Sequence, residues 1–467
     1  MIELGRRVFS EADQRAFAAL SGDANPLHVD AAVARRTVFG HCVVHGVHQV
    51  LWALEAWLAA RGESGALAVL EAKFLRGLGI GVPVVCRAER QDGAEFALEL
   101  SAGSAVTARL KGRWSAAPGE DPALPAAGAE LACRVRSFEE VVGAQGRMEL
   151  FLDMALVGRM FPLLAQRLPP SQLAGLLATT RLVGMECPGW HSIFSALQLT
   201  FDRPRGDAAL HWRVERTRQH LSIIQLAVEA PGMKGTLQTL FRPPPQTQAP
   251  LAEVATRVVP GEFAGQRALI IGGSRGLGEV AAKIIASGGG RVFLTYFRGA
   301  ADAQRLCAEL RRADGGAEAA LFDVLGGELP ALPWTPTHLY YFATPMVAVD
   351  KAAAFSAGKF EEFSRYYVGG LARVLGRVAE LAGGALTVFY PSTIFLDQPA
   401  AGLAEYAAAK AAGEALGGQF AGRFPQMKFH APRLPRLSTD LTAGLLPLAA
   451  QEPLAVLLPA LRALGPA

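Results

Sequence analysis

The stretch Ala268–Glu279 reads Ala-Leu-Ile-Ile-Gly-Gly-Ser-Arg-Gly-Leu-Gly-Glu. It continues an apolar run from Arg267 to Ile271 that predicts a β-strand, and a helical run from Glu279 to Ala286 follows the glycines. Glycines at a strand-to-helix turn let the backbone approach a pyrophosphate, to which the helix N-terminus offers unpaired N–H groups. A glycine-rich turn in some other α/β fold is the alternative. The predicted cofactor contacts are Gly272, Ser274, Arg275, Gly276, Leu277 and Gly278.

A tyrosine and a lysine downstream favour the cofactor-binding interpretation. Tyr406 and Lys410 are one helical turn apart and therefore face the same way, and Ser392 precedes them at the end of a predicted strand. A lysine ammonium can lower the pKa of a tyrosine and hold a ribose hydroxyl, so that the tyrosine exchanges the proton that accompanies hydride transfer. Ser392 would then hydrogen-bond the substrate oxygen, with Thr393 as an adjacent competitor.

Strand, glycine loop, serine and Tyr-x-x-x-Lys pair occur in the order of the short-chain dehydrogenase/reductase family, which residues of about 265–467 resemble. The resemblance implies a doubly wound parallel Rossmann sheet, catalytic Ser392, Tyr406 and Lys410, and adenine contacts at Asp323 and Val324. The chain departs from the family in three places: Tyr341–Thr344 replaces Asn-Asn-Ala-Gly, Val368-Gly369 replaces the relay asparagine, and Pro432-Arg433 replaces Pro-Gly.

Charge after the second predicted strand, Arg291–Tyr296, indicates which nucleotide is bound. The strand ends in Tyr296-Phe297-Arg298, without the acidic residue that accepts the ribose 2′-hydroxyl of NAD. Arg275 and Arg298 could pair with a 2′-phosphate, since guanidinium matches phosphate geometry. The sequence therefore predicts NADPH in preference to NADH.

The first 118 residues show a different plan. Ser10 and Asp13 predict a helix start before the amphipathic run Gln14–Leu20, and a long helical pattern covers Val47 to Ala60. Strand-like runs follow at Ala66–Phe74, Val82–Glu89, Phe96–Ser101 and Val106–Trp114. A long helix wrapped by antiparallel strands is the plan of a hotdog fold.

Asp23 and His28 stand in the loop Ser21-Gly-Asp-Ala-Asn-Pro-Leu-His28, before Val38-Phe-Gly-His-Cys-Val-Val-His-Gly46. A carboxylate and an imidazole can hold a water between them, one taking its proton and the other giving one across a double bond. The Gly46 N–H at a helix start could polarise a thioester carbonyl. A helix-capping Asp23 and a surface His28 are the structural alternative.

The whole string resembles the MaoC-like, R-specific enoyl-thioester hydratases over residues of about 1–115. The resemblance implies that Asp23 and His28 are the catalytic pair, that Ser21 and Asn25 support the loop, and that Asn25, His45 and Gly46 lie on the substrate side. His41 and His48 have no family role. With His45 they could suggest a metal, but no cysteine or carboxylate completes a ligand set, so we predict none.

Residues 130–245 repeat the order of helices followed by strands. Arg147–Leu177 predicts one or two helices, and strand-like stretches follow at Ile193–Phe201, Ala209–Glu215, Leu221–Ala230 and Gly235–Arg242. These patterns predict a second, degenerate hotdog that continues the first sheet, because the Asp-x-Asn-Pro-x-His string is missing. Val183–Ser195 forms a turn with core aromatics in the simplest interpretation; alternatively, His191 completes a site between the hotdogs.

Composition sets limits on the whole chain. Its 467 residues carry a net charge of +4 and no basic run, which argues against nucleic acid and against a charged membrane anchor. Pro- and Gly-rich seams at Ala116–Glu130 and Arg242–Pro260 predict domains at 1–118, 130–245 and 260–467. Five scattered cysteines predict buried free thiols in a reducing compartment, and no signal peptide or membrane span is recognisable, so we expect a cytoplasmic protein.

The two resemblances share one metabolite, a 3-hydroxyacyl thioester. We therefore predict a bifunctional 3-ketoacyl-thioester reductase and 3-hydroxyacyl-thioester dehydratase of fatty-acid or polyketide-type biosynthesis, with the acyl group on acyl carrier protein or coenzyme A. Three alternatives stay open: hydration followed by NAD-linked oxidation in acyl-CoA degradation, a reductase whose hotdogs only bind acyl groups, and a hydratase with an inactive reductase. A homo-oligomer through the Rossmann domain is possible.

Overall fold

The computed structural model describes residues 1–62, 65–89, 94–116, 121–312, 316–347, 355–442, 444 and 449–465. The chain forms two compact units: the first contains Met1–Pro244, and the second begins at Pro245. The predicted segments 1–118 and 130–245 therefore share a unit, and their division into separate domains stays a prediction. Residues 117–120 of the first predicted seam lie outside the described residues.

The first unit combines ten strands with eight short or medium helices among its described residues. Its elements in chain order are β1 (Ile2–Val8), α1 (Glu11–Ser21), α2 (Pro26–Val29), α3 (Ala31–Ala34), α4 (Gly46–Arg61), β2 (Ala66–Phe74), β3 (Pro83–Ala88), β4 (Glu95–Ala102), β5 (Ala105–Ser115), α5 (Phe138–Val141), β6 (Gln145–Glu149), α6 (Met154–Met160), α7 (Pro162–Arg167), α8 (Pro170–Arg181), β7 (Ser192–Phe201), β8 (Ala209–Arg218), β9 (Ile223–Ala230) and β10 (Met233–Phe241). A π-helical turn, Leu182–Glu186, continues α8.

All ten strands join one antiparallel sheet in the order β1-β3-β4-β5-β2-β7-β10-β9-β8-β6. The two halves of the sheet have the same strand order when each is read from its own edge toward the middle. The first half reads β1-β3-β4-β5-β2 and the second reads β6-β8-β9-β10-β7, so each strand of the second half corresponds to the strand numbered five lower in the first. The two halves meet where β2 pairs with β7, with Leu70 opposite Leu199. One sheet thus runs through both predicted segments, while the assignment of the second half to a hotdog fold stays a prediction.

Most helix and strand positions in this unit follow the sequence patterns. Ser10 caps α1 in a capping box with Asp13, and Gly62, at φ 70°, ends α4 in a left-handed conformation. The prediction for Arg147–Leu177 is partly wrong, because its first residues belong to the edge strand β6 and three helices, α6 to α8, follow. Proline at the first turn of α7 and of α8 separates these helices.

The second unit alternates strands and helices. Its elements are α9 (Leu251–Arg257), β11 (Arg267–Ile271), α10 (Gly276–Ser287), β12 (Arg291–Tyr296), α11 (Ala300–Arg311), β13 (Ala317–Leu321), β14 (His338–Tyr341), α12 (Ala357–Ser364), α13 (Leu371–Leu381), β15 (Leu386–Phe389), β16 (Ser392–Thr393), α14 (Ala404–Arg423), β17 (Met427–His430), β18 (Arg433–Leu434) and α15 (Pro453–Arg462). A π-helical stretch, Arg365–Gly370, joins α12 to α13.

Six of these strands form a parallel sheet in the order β13-β12-β11-β14-β15-β17. In order of appearance this is 3-2-1-4-5-6, the strand order of doubly wound dinucleotide-binding folds. The direction of winding reverses between β11 and β14, and ligands of such sheets bind at the carboxyl ends of the strands at that point. The glycine loop after β11 and the segment after β14 therefore mark the expected site.

The structure adds detail to three expectations, which concern the second seam, the cysteines and membrane-spanning helices. The predicted seam Arg242–Pro260 contains α9, whose Val254 is fully buried and whose Leu251 N–H donates to Glu309. All five cysteines are free, but Cys42 and Cys133 are only partly buried. Among the described residues, every helix is too short or too polar to cross a membrane.

Candidate functional site

The loop that carries Asp23 is held by its own side chains. The Ser21 hydroxyl donates to the Phe17 carbonyl at 2.7 Å and accepts the Asp23 N–H at 3.2 Å. The Asn25 side-chain oxygen accepts the Leu27 N–H at 3.0 Å, which caps α2. These bonds explain why this short polar stretch leaves α1 and enters α2 in one conformation.

The Asp23 carboxyl is buried, with 1% of the residue exposed, and both of its oxygens accept hydrogen bonds. Oδ1 accepts the Asn25 N–H at 3.2 Å, and Oδ2 accepts the Thr180 hydroxyl of α8 at 2.6 Å. Gly184 approaches so closely that a β-carbon there would lie 2.1 Å from Oδ1. The second half of the sheet unit therefore touches the carboxyl directly, through Thr180 and Gly184 and not through His191.

His28 is oriented by a backbone carbonyl. Its Nδ1 lies 2.7 Å from the Val43 oxygen, so Nδ1–H donates there and Nε2 carries the lone pair of the neutral ring. The His45 ring stacks on His28 with centroids 3.8 Å apart. Ligand-type atoms of Asp23, His28 and His45 all lie within 4.8 Å of one another, so the structure brings the predicted pair together.

Burial pushes the two acid–base groups toward their neutral forms. It raises the pKa of the Asp23 carboxyl, against the opposing effects of His28 and the Thr180 hydroxyl. Burial also lowers the pKa of the His28 imidazole, which the Asp23 carboxylate opposes. A carboxyl and an imidazole held this close can exchange protons with one water molecule, which is the chemistry that adding water across a double bond requires.

Asp23, His28 and Gly46 line one cavity of about 150 Å³ in the first unit. Gly46 is the first residue of α4, where N–H groups lack an intrahelical acceptor and the helix dipole is positive. The Phe74 ring packs on it so tightly that a β-carbon at Gly46 would lie 2.8 Å from the ring. Any larger residue at position 46 would displace the Phe74 ring, so glycine lets this apolar side chain pack against the start of the helix.

Two of the predicted substrate-side residues, Asn25 and His45, do not line this cavity. The Asn25 side-chain amide donates to the Gly184 and Gly189 carbonyls, at 2.7 and 3.2 Å. His45 is fully buried, with Nδ1 2.9 Å from the Gln14 side-chain oxygen and Nε2 3.0 Å from the Asp23 carbonyl. Neither residue lines the cavity, so their geometry is that of supports for the Asp23 loop.

His48 and His191 are packed side chains that do not line the cavity. His48 stacks on Phe17 with centroids 4.5 Å apart, and burial lowers its pKa to about 3. His191 is 8% exposed and does not line the cavity, although the following segment, Ser192–Ser195, does. Among the described residues, only Asp23, His28 and His45 group as metal-ligand types, and both His45 nitrogens already face carbonyl oxygens.

In the second unit the glycine loop has the conformation expected for close approach to an anion. Gly272 has φ 75°, and a β-carbon on Gly278 would lie 2.4 Å from the Gly272 oxygen. The helix α10 begins at Gly276, directing its free N–H groups to the same place. Gly272, Arg275, Gly276, Leu277 and Gly278 line a cavity of about 200 Å³.

Tyr406 and Lys410, both on α14, line this same cavity. Burial raises the pKa of Tyr406 to about 12, against a hydrogen bond with the Thr393 side chain. The Lys410 ammonium donates to the Pro391 carbonyl at 2.7 Å and lies 4.1 Å from the centroid of the Tyr367 ring. Burial lowers the Lys410 pKa to about 7, so the predicted lowering of the tyrosine pKa by this lysine is not observed here.

Ser392 and Thr393 both line the cavity but have different partners. The Ser392 hydroxyl donates to Glu414, which also forms an ion pair with Arg433 at 2.9 Å. The Thr393 side chain is the one that lowers the pKa of Tyr406, against the effect of burial. Because Glu414 engages the Ser392 hydroxyl, Thr393 is the stronger candidate of the two for a role beside the tyrosine.

The predicted cofactor residues are not all brought together. Arg275 lines the cavity, with Nη1 3.4 Å from Asp440 Oδ2. Arg298 is exposed over the Phe297 ring, at 5.3 Å from its centroid. Four predicted contacts do not line this cavity: Ser274, Arg298, Asp323 and Val324.

Comparison of the whole chain with solved structures gives similarity at low sequence identity. A short-chain dehydrogenase from Burkholderia cenocepacia J2315 in complex with NADP is 21% identical, over 38% of this chain and 78% of that chain, with a TM-score of 0.34. A short-chain dehydrogenase/reductase from Serratia marcescens is 21% identical over 39% and 78%, with a TM-score of 0.34. FolM alternative dihydrofolate reductase 1 from Brucella suis, in complex with NADP, is 15% identical over 36% and 72%, with a TM-score of 0.32.

Comparison with curated proteins gives no match. Comparison with protein families matches residues 3–102 to the family described as "MaoC like domain". The matched range contains the Asp23 loop, the stacked histidines and the glycine that begins α4. Residues 3–102 of this chain are therefore a MaoC-like domain.

Proposed function

We propose that the chain is a bifunctional enzyme, a 3-ketoacyl-thioester reductase and 3-hydroxyacyl-thioester dehydratase. The observation that carries the proposal is that Asp23, His28 and Gly46, all within the MaoC-like domain, line one cavity. The second unit supports it with a separate cavity that combines a glycine loop with Tyr406 and Lys410. The acyl group is carried by coenzyme A or an acyl carrier protein.

In the dehydratase cavity the two neutral groups divide the proton transfers. For hydration, His28 Nε2 takes a proton from water, the hydroxide adds to C3, and the Asp23 carboxyl gives its proton to C2. Dehydration is the reverse: the Asp23 carboxylate removes the C2 proton, and protonated His28 protonates the leaving hydroxyl. The Gly46 N–H and the dipole of α4 stabilise the enolate oxygen that forms between these steps.

In the second unit the residues fit a nicotinamide dinucleotide. A β-carbon at Gly278 would collide with neighbouring atoms, so the loop can be this tight and close to a pyrophosphate only with glycine. Arg275 adds a positive charge beside the loop. When bound, NADPH supplies the hydride that reduces the 3-keto carbon. Tyr406 donates the accompanying proton to the keto oxygen, while the Thr393 hydroxyl orients that oxygen. The preference for NADPH rests on Arg275 and on the absence of an acidic residue at the end of β12.

The test follows acetoacetyl-CoA and acetoacetyl-acyl carrier protein with NADPH or NADH, first by nucleotide absorbance and then by the mass of the acyl product. Consumption of NADPH with a crotonyl product supports the proposal, and Asp23→Asn should stop the reaction at the 3-hydroxyacyl stage. Preference for NADH and for oxidation would favour acyl-CoA degradation instead. Hydration of crotonyl-CoA without any reduction would reduce the proposal to a hydratase.

A further inference from the structure

The second half of the sheet unit supplies two of the groups that lie against the Asp23 carboxyl from outside its own loop, and His45 of the first half is a third, with Nε2 3.9 Å from Oδ2. Thr180, near the C-terminal end of α8, donates to Oδ2 at 2.6 Å and also lines the cavity. Gly184, in the π-helical turn that follows, leaves room for Oδ1. The half of the unit that lacks its own Asp–His string thus builds the surroundings of the carboxyl in the other half.

We propose that Thr180 is a positioning residue of the dehydratase site, through which the second half of the sheet unit takes part in catalysis. The inference rests on the proposed dehydration for its kinetic consequence, although the contact itself does not depend on it. Thr180 acts through Asp23: its hydroxyl selects which carboxyl oxygen faces the cavity and which is turned toward α8.

The neighbouring threonine shows that this contact is not the usual behaviour of a helical hydroxyl. Thr179 is fully buried on the same helix, and its hydroxyl donates to the Leu176 carbonyl at 2.7 Å, within α8. The Thr180 hydroxyl reaches out of the helix instead. A buried carboxyl that loses such a donor is left with an unsatisfied oxygen, which is costly in an apolar site.

Thr180 also influences the protonation of Asp23. A hydrogen bond to the charged form of a carboxyl opposes the effect of burial, so removing it raises the pKa further. The other titratable groups around Asp23 are His28 on α2, His45 at the start of α4, and Cys133 in the segment before α5. Arg242, after β10, acts on His28 and is itself buried.

The experiment compares Thr180→Val, Thr180→Ser and the matched control Thr179→Val in the full chain. For hydration of crotonyl-CoA, Thr180→Val should lower kcat by about 10- to 100-fold, the usual cost of a misplaced acid–base group, with little change in KM. Its pH–rate profile should move to higher pH by about one unit. Thr180→Ser should restore both, and Thr179→Val should resemble the wild type. Wild-type kcat and pH profile in Thr180→Val, or an equal loss in Thr179→Val, would overturn the inference.

A second readout separates this inference from the proposed function. Carbon-13 NMR of aspartate carboxyls, with Asp23 assigned through Asp23→Asn, gives the Asp23 pKa without any turnover. If the wild type does not hydrate crotonyl-CoA, the proposed function fails. A raised Asp23 pKa in Thr180→Val would still support the positioning contact, whereas an unchanged Asp23 pKa would overturn it.

Discussion

The side-chain amide of Asn25 donates to the backbone carbonyl of Gly184 across 2.7 Å, although 159 residues separate the two in the chain. This bond ties the loop of Asp23 to the turn after α8. Because Gly184 also leaves the space that the Asp23 carboxyl occupies, one short segment of the second half both anchors the loop and shapes its acid–base group.

Gly184→Ala should therefore abolish most of the hydratase activity. The new β-carbon would lie 2.1 Å from Asp23 Oδ1, so the carboxyl or the turn must move, and displacements of this size cost about 100-fold in rate. Gly158→Ala is the matched control, since its β-carbon would meet no atom within 4 Å. Crotonyl-CoA hydration by both variants checks the prediction, which is wrong if they lose activity equally.

Asp23→Asn should stabilise the fold as the pH rises while it removes hydratase activity. The folded-state pKa of Asp23 is raised above its unfolded value of 3.8, so its stabilising contribution is complete below that value and is lost as the pH rises through the folded pKa. Asparagine does not ionise, so the variant does not lose this stability. The loss in the wild type is about 1.4 kcal/mol for every unit by which the Asp23 pKa is higher in the folded than in the unfolded state. Denaturant unfolding at a series of pH values from 3 to 8 measures it, because the loss begins at the unfolded value of 3.8. A stability difference that does not grow with pH would contradict the prediction.

Thr393→Val should impair ketoreduction more than Ser392→Ala does. The Thr393 side chain lowers the pKa of Tyr406, whereas the Ser392 hydroxyl is engaged by Glu414. Loss of a hydroxyl that orients the reacting oxygen costs about 100-fold in kcat or more. Single-turnover reduction of acetoacetyl-CoA by both variants decides between them, with Thr393→Ser as the rescue. A larger loss in Ser392→Ala would return the role to the residue that the sequence pattern favoured.

Arg275→Ala should weaken the binding of NADPH and leave the binding of NADH nearly unaffected. Arg275 lines the cavity beside the glycine loop, where a guanidinium would pair with a 2′-phosphate, and losing such a pair costs about 10-fold or more in KM. Arg377→Ala serves as the control, because Arg377 lies on the exposed face of α13 and pairs with Glu380. Equal increases in KM for both nucleotides would show that Arg275 binds the shared pyrophosphate instead.

Local patterns account for what could be predicted from the sequence. Ala66–Phe74, Arg267–Ile271 and Arg291–Tyr296 are strands with the predicted bounds, because apolar runs with clear ends specify a strand without reference to distant residues. Asp23 and His28 come together for the same reason, since five residues of one capped loop separate them. The edge strand β6 was missed because its five residues are mostly exposed and carry no apolar pattern.

Contacts across the sheet could not be predicted in this way. Thr180 and Gly184 act on Asp23 from more than 150 residues away, and nothing in their own neighbourhood distinguishes Thr180 from Thr179. For the same reason, the sequence could not decide between the hydroxyls of Ser392 and Thr393. They are adjacent in the sequence, and only the position of Glu414 on α14, which accepts a hydrogen bond from the Ser392 hydroxyl, distinguishes them.

The pairing of β2 with β7 has a consequence for synthesis of the chain. Residue Leu70 leaves the ribosome well before its partner Leu199, so a nascent first half exposes the unpaired edge of an apolar strand until β7 has been translated. A truncated product that ends after β5 would keep that edge open and would self-associate or aggregate. Co-translational protection of β2, or rapid arrival of β7, is therefore a requirement for yield of the folded protein.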